Sequence, residues 1–247
     1  MAKVLILLTK SKTLGLLDGV QHASGFWAEE FVVPYDRFVQ EGYEIDVATI
    51  GGEAPYPDQG SLSIERVSAT RPVGSPDHDV ENIAHYKKTI KSLAVLKKPM
   101  NVGDISKDDL TQYDGVYISG GHGAMDDMPH DAGMTRVVRW ILELDKPLAV
   151  VCHGHSALLP LRDSESDWPL KGYRMTCFSH SEELVTDMSG LLPFVLQREV
   201  ERLGAVYEKA DLIWGSHVVV DRNLITGQNP YSSTELAETF VKFLAGR

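Results

Sequence analysis

The sequence predicts an α/β fold built on a mostly parallel sheet, and three observations carry that prediction. Short apolar runs without solvent-facing alternation, above all Pro147-Leu148-Ala149-Val150-Val151, suit central strands covered on both faces. Such runs alternate with helical stretches: a strand at 114–119, a helix at 131–144 and the strand at 147–151 follow one another as a right-handed parallel crossover requires. The 147–151 run then ends abruptly in Cys152-His153-Gly154-His155, at the carboxyl edge where open α/β sheets bind ligands. With 247 residues, 43% of them hydrophobic, the chain is read as one domain, 1–247, with a full core.

The elements follow in order. Residues 4–9 read as a buried first strand, and 10–25 as a polar, glycine-bearing loop at the ligand edge. The next stretch is helical, with Phe31, Tyr35 and Phe38 on one face and Gly42 at its end; Pro34 must lie in its first turn or kink it. Residues 43–49 alternate like a strand nearer the sheet edge, closed by Gly51-Gly52. From 53 to 104 the rhythm breaks. Pro55, Pro57, Gly60, Pro72, Gly74 and Pro76 mark an irregular excursion, followed by a helical stretch at 79–96. The segment reads either as a cap insertion over the sheet edge or as a surface insertion with no part in the site. Gly120-Gly121-His122-Gly123 follows the 114–119 strand directly and is a candidate anion nest. Later come a strand at 172–178 containing Cys177, a polar loop at 179–183, a helix at 191–203, and a hairpin-like pair at 211–220 and 223–226. A final helix opens on Ser232 and Glu235 at capping-box spacing.

Composition excludes several classes. A net charge of −11, from 24 basic and 35 acidic residues, argues against a nucleic-acid backbone as partner, which would need a local basic patch that the sequence does not display. Two cysteines without metal-ligand spacing argue against a disulfide framework or zinc site and for a reducing compartment. The first residues lack a signal-peptide pattern, and no later segment approaches the roughly 20 apolar residues of a membrane span, so a cytoplasmic protein is expected.

Two readings of Cys152 stand side by side. It is a buried core cysteine, the common fate of a free thiol, or it is a nucleophile on a strand-turn-helix elbow, for which His153-Gly154 supplies small-residue clearance. In the second reading a helix beginning just beyond the sulfur aims N–H groups at it, and the thiol is expected to ionise more easily than a free one.

Six ordered segments carry a resemblance over almost the whole chain: Gly25-Phe26-Trp27-Ala28-Glu29-Glu30 with Pro34; Gly51-Gly52 with Pro57-Asp58 and Ser61; Gly120-Gly121-His122-Gly123; Ala149 to Gly154; Thr176-Cys177-Phe178 with Glu182-Glu183; and Thr226-Gly227-Gln228-Asn229-Pro230. The sequence resembles the PfpI/ThiJ superfamily of class I glutamine-amidotransferase-like proteins, specifically the branch of heat-shock chaperones and glutathione-independent glyoxalases (glyoxalase III). The resemblance implies a flavodoxin-like three-layer sandwich with a small cap insertion, homodimers, and no cofactor. It also implies roles: Cys152 as nucleophile, Glu30 as the glutamate on the sulfur, His153 as the triad histidine, Glu183 as the acid orienting it, and the N–H groups of Gly121 and His153 as oxyanion donors. Glu182 is the alternative to Glu183, and Glu30 has a competing reading as a solvated charge in a first helical turn.

His155 stands where relatives commonly have proline, and reads either as cover for the first helical turn or as a second titratable group beside Cys152. Trp27, His122 and His155 are the substrate-pocket candidates, with His22 a further histidine in reach. No metal is expected, because no histidine pair shows helix-type ligand spacing with a carboxylate.

The chemistry expected from these residues is conversion of a small dicarbonyl such as methylglyoxal to a 2-hydroxy acid, with protein deglycase activity as an extension. A holding chaperone that binds unfolded clients, and a cysteine amidase or peptidase, are the alternatives.

Overall fold

The computed structural model describes residues 2–71, 78–162 and 167–246, so Pro72, Gly74 and Pro76 of the excursion lie outside the described residues. Strand β1 (Lys3–Leu7) leads to a small antiparallel hairpin of β2 (Thr13–Gly15) and β3 (Gln21–Ala23), then to helix α1 (Ala28–Gln40) and β4 (Glu44–Thr49). The excursion holds α2 (Ile64–Thr70), α3 (Asp79–Ser92) and α4 (Ala94–Lys97), and returns to the sheet as β5 (Met100–Asn101). Helix α5 (Lys107–Thr111) precedes β6 (Gly115–Ile118); α6 (Gly123–Asp127) and α7 (Ala132–Glu143) precede β7 (Leu148–Val151). Beyond β7 come β8 (Arg174–Met175), α8 (His180–Glu183), α9 (Leu196–Arg202), β9 (Val206–Tyr207), the hairpin β10 (Val218–Asp221) and β11 (Leu224–Gly227), and α10 (Ser233–Ala245).

The main sheet runs β10-β11-β7-β6-β1-β4-β5. Every pairing in it is parallel except that of edge strand β10 with β11. Its central strands divide their side chains between two cores. Leu5, Leu7, Val116, Ile118, Leu148 and Val150 face the α7 layer with Val137, Val138 and Ile141. Val4, Ile6, Tyr117, Ala149 and Val151 face the α1 and α10 layer with Phe31, Phe38 and Phe240. Alternation at period two therefore exists, but both directions are apolar, which is why the sequence reads as unbroken runs. The result is the three-layer, mostly parallel sandwich of the flavodoxin type. Burying each large aliphatic or aromatic side chain contributes about 1.5–3 kcal/mol.

Several elements differ from the sequence-based expectation, each for a local reason. The 10–25 loop contains the β2–β3 hairpin. The 79–96 helix breaks at Leu93, whose backbone is extended. Helix α9 is shorter than 191–203. Strand β8 is two residues long because the chain then spends its backbone groups on side chains: Thr176 N–H donates to Thr226 Oγ1 at 3.0 Å and Cys177 C=O accepts from Tyr207 Oη at 3.1 Å. Cys177 is thus buried beside the sheet and not in a strand. Residues 180–183, expected as loop, form α8. The Ser232–Glu235 box does not form; Ser232 Oγ instead accepts the N–H groups of His217 and Asn229, and Glu235 accepts from Ser216 Oγ.

Candidate active site

Cys152 leaves the carboxyl end of β7 with φ +54°, in the left-handed region that costs a non-glycine residue on the order of 1–3 kcal/mol. The chain continues into the expected helix, which is a seven-residue 3-10 helix, Cys152–Leu158. Two features secure the bend. His155 Nδ1 bonds the Cys152 carbonyl at 2.9 Å, and Gly154 lies so close to β6 that a Cβ there would sit 2.9 Å from the Ser119 carbonyl oxygen. The N–H groups of Gly121 and His153 both point at the sulfur.

Glu30 reaches the sulfur from α1. Pro34 lies inside that helix, at its seventh residue and not in its first turn, and cannot donate to the Glu30 carbonyl four residues back. The Tyr117 hydroxyl of β6 donates to that carbonyl instead, at 3.0 Å, tying the helix to the sheet beneath the site. The carboxyl is fully buried. Its Oε2 accepts from Gly120 N–H at 2.9 Å; Oε1 is buried without a hydrogen bond from any described residue, and the carboxyl lies within hydrogen-bonding reach of Cys152. A Cβ on Gly120 would stand 2.7 Å from Glu30 Oε2 and 2.8 Å from His153 N, so only glycine fits between acid and elbow. Glu30 is therefore not a solvated first-turn charge.

On the other side of the sulfur a second line runs outward. Cys152 Sγ is 3.2 Å from His153 Nδ1, and His153 Nε2 is 2.5 Å from Glu183 Oε1. The His153 ring packs against Phe178, at a centroid distance of 4.4 Å, and against His122, at 3.9 Å. His122 Nε2 meets the remaining Glu183 oxygen at 3.2 Å. Which of the two adjacent acids faces the histidines is decided by a helix cap. Ser179 and Glu182 form the capping box of α8, and Glu182 Oε1 also accepts from Gln228, Asn229 and the Trp214 N–H. With Glu182 fixed there, Glu183, the next residue on the helix, points to His153.

Burial dominates the electrostatics. It pushes Glu30 up to about 8, against the opposing pull of hydrogen bonds from Cys152 and Gly120. It also raises the Cys152 thiol, with Glu30 adding to the rise and the N–H groups of Gly121 and His153 opposing it. The expectation of an easily ionised sulfur is thus corrected: one 3-10 turn and two N–H groups do not offset full desolvation beside a carboxyl. His153 is pushed down to about 4 by burial and by His122. Burial alone would raise Glu183, but the His153 and His122 imidazoles outweigh it and hold the carboxyl below its ordinary range. At neutral pH the site therefore holds a protonated Glu30, a thiol, a neutral imidazole and a Glu183 carboxylate. With His153 Nε2–H donating to Glu183, Nδ1 is a bare acceptor facing the thiol.

The remaining candidates separate. His155 is fully buried and pushed down to about 3 by burial; its contact is to the Cys152 carbonyl. Trp27 caps α1, its N–H donating to the Gly120 carbonyl at 3.2 Å, with its side chain half-buried. His22 lies on the β2–β3 hairpin within electrostatic reach of Asp187. The beginning of the excursion presses on the loop before α1, since Ser61 Oγ accepts the Ala28 N–H and Phe26 bridges Pro57, while its end is strand β5. Sequence reasoning missed Tyr117 and the Gln228–Asn229 support of Glu182, whose partners are far apart in the chain. It also missed a candidate ligand set: His122, His153 and Glu183 each offer one ligand atom, all within 4.8 Å of one another, a set drawn from three segments that helix spacing cannot reveal. No helix among the described residues is long and apolar enough to cross a membrane.

The chain is 28% identical over 247 residues to the protein/nucleic acid deglycase HchA of Staphylococcus aureus, covering 97% of this chain and 78% of that protein. Its fold matches the Rapid Encystment Protein of Francisella tularensis with a TM-score of 0.79 at 26% identity, over 99% of both chains. It matches glyoxalase III of Candida albicans with a TM-score of 0.76 at 24% identity, over 98% and 96% of the two chains. The DJ-1/PfpI family pattern spans residues 20–243, and the chain belongs to the DJ-1/PfpI family.

Proposed function

We propose that the protein is a cysteine-dependent, glutathione-independent glyoxalase that converts methylglyoxal or a similar small dicarbonyl to the 2-hydroxy acid, with protein deglycase activity as the same chemistry on an adducted substrate. One observation carries the reading: a strained cysteine at the carboxyl edge of the sheet lies between a protonated glutamic acid and a neutral histidine backed by a carboxylate. The deglycase relative supports it over a holding chaperone or a peptidase. Two buried free thiols suit a reducing, cytoplasmic setting.

The steps follow from the resting protonation states. As Cys152 Sγ adds to the aldehyde carbon, its proton passes to His153 Nδ1, and Glu183 stabilises the imidazolium that forms. The N–H groups of Gly121 and His153, aimed at the sulfur at rest, are placed to meet an oxyanion on the carbon bonded to it. Glu30 gives its proton to that oxyanion and, now a carboxylate, takes the aldehydic proton while the His153 imidazolium protonates the ketone oxygen, giving an enediol. Glu30 returns the proton to the neighbouring carbon as His153 takes one from the hydroxyl on the sulfur-bearing carbon, giving a 2-hydroxyacyl thioester, and the imidazolium afterwards restores the Glu30 proton. Water cleaves the thioester, releasing the acid and returning the proton to sulfur. No electron leaves or enters, since the aldehyde is oxidised as the ketone is reduced.

The test is lactate formation from methylglyoxal in the absence of glutathione. Wild type turns over, and Cys152→Ala loses at least about 10³-fold in kcat/KM. Turnover by Cys152→Ala at the wild-type rate sinks the proposal.

A further inference from the structure

His122 has no part in the line from thiol to carboxylate, yet its Nε2 is aimed at the same Glu183 that holds His153. Two imidazole nitrogens and a carboxylate, drawn from the loop after β6, from the elbow and from α8, converge on one point. We propose that His122 Nε2, His153 Nε2 and Glu183 form a binding site for a divalent transition metal, Zn²⁺ first, and that the bound ion switches the enzyme off. The switch rests on the function proposed above; the site does not.

The donor set fixes the class of ion. Two imidazoles with one carboxylate suit zinc and its first-row neighbours, whereas calcium and magnesium take oxygen ligands. Tetrahedral zinc with ligands at about 2.0–2.2 Å separates them by roughly 3.3 Å. The His122–Glu183 distance of 3.2 Å already meets that spacing, and the 2.5 Å His153–Glu183 contact opens by under about 1 Å as the ion replaces the proton between them. A water supplies the fourth position from the side of His122, the member with the most exposed side chain, 11% against 1% for His153 and 3% for Glu183. Cys152 is not a ligand, because its sulfur lies against Nδ1, the opposite edge of the His153 ring. That sulfur instead accepts the hydrogen bond that a metal-bound histidine gives from its other nitrogen.

Inhibition follows from proton counting. A neutral imidazole carries one N–H. In the metal-free site that hydrogen is on Nε2 and Nδ1 can take the thiol proton. Zinc on Nε2 leaves the hydrogen on Nδ1, and the ring has no lone pair left to accept another. Addition of the thiol to an aldehyde then has no base.

The experiment is calorimetric titration of Zn²⁺ into the full chain and its Cys152→Ala, His122→Gln and Glu183→Gln variants, with Co²⁺ absorption as a second reading and thermal melts to verify folding. The expected result is one ion per chain in both wild type and Cys152→Ala, weakened about tenfold or more in His122→Gln and in Glu183→Gln. Cobalt should give tetrahedral bands without a thiolate charge-transfer band, and zinc should stop turnover in wild type until a chelator restores it. Absence of binding to wild type overturns the proposal. So does binding undiminished in both folded His122→Gln and Glu183→Gln, binding lost in Cys152→Ala, or a thiolate band with cobalt. The outcomes stay separate: if Cys152→Ala keeps full turnover the glyoxalase reading fails while the binding data still decide the metal site.

Discussion

Two buried carboxyls serve the same thiol, Glu30 directly and Glu183 through His153, and their surroundings drive them to opposite states. Glu30 is fully buried with one backbone N–H donor, and the charges that act on it, Glu29 and Asp58, are acidic, so removing its proton would bury an uncompensated charge; it is pushed up to about 8. Glu183 is as deeply buried but is met by two imidazoles, and it stays ionised below the ordinary range. Burial sets the size of the stakes, and the nearest partner sets the sign. Placing one acid and one base around a single thiol thus needs only a different set of neighbours for each glutamate.

The sharpest way to break this pairing is at Glu183. Glu183→Gln keeps the size but presents an amide that can donate toward His153 Nε2, turning the ring so that Nδ1 carries the hydrogen and cannot accept the thiol proton. We expect a loss of about 10³–10⁴ in kcat with KM little changed, measured as glutathione-free lactate production. A loss under tenfold would mean that His153 keeps its tautomer without the carboxylate.

Glu30→Gln attacks the other side and is expected to cost less, about 10²–10³ in kcat. Its pH dependence is the sharper reading. Wild-type activity requires Glu30 protonated and should fall as pH rises through about 8, and it requires His153 neutral and should fall as pH drops through about 4. The residual activity of Glu30→Gln should lose the alkaline limb and keep the acid one. An unchanged alkaline limb would assign it to another group.

The same contrast appears in stability. Folded Glu30 holds its proton up to about 8, whereas the unfolded chain releases it near 4.5, so between these values the folded state binds more protons and stability falls as pH rises. Glu183 has the opposite sign: its contribution is present above the ordinary value of 4.5 and is lost as pH falls below it. Relative to wild type, Glu30→Gln should therefore gain on going from about pH 5 to about pH 9, on the order of a few kcal/mol, in denaturant titrations at each pH. Parallel curves for the two proteins would show that the folded carboxyl ionises freely.

How much of this was legible in the sequence depended on whether the deciding partners were neighbours in the chain. The central strands were legible because both faces of β1, β6 and β7 are covered, leaving apolar runs. The elbow was legible because strand, cysteine and small residue are contiguous. The choice between Glu182 and Glu183 looked open, but Ser179-x-x-Glu182 is itself a capping box that assigns Glu182 to the helix end. The same spacing misleads at Ser232 and Glu235, where the serine hydroxyl is already taken by His217 and Asn229 N–H groups. The raised thiol was not legible, since desolvation depends on α1 and β6 closing over Cys152 from sites 122 and 35 residues away, as counted to Glu30 and Tyr117. Nor was the convergence of His122 with His153 and Glu183, which only the sheet order produces.

The smallest expected effect tests how the acid side is held. Glu183 is fixed by the hydrogen-bonded end of α8, whereas the Glu30 backbone depends on one long-range bond, from Tyr117 Oη to the carbonyl that Pro34 leaves without its helical donor. Tyr117→Phe removes that donor and strands a buried acceptor, a loss of about 1–3 kcal/mol in stability, with kcat reduced several-fold through looser placement of the carboxyl. If the hydroxyl matters because of the proline, Pro34→Ala should repair most of the loss, since the alanine N–H gained at that position can then reach the Glu30 carbonyl as in any α-helix. The double variant Tyr117→Phe/Pro34→Ala should accordingly be more stable than the two single changes summed. Simple additivity would mean that the contribution of the hydroxyl does not depend on the acceptor that Pro34 leaves without its helical donor.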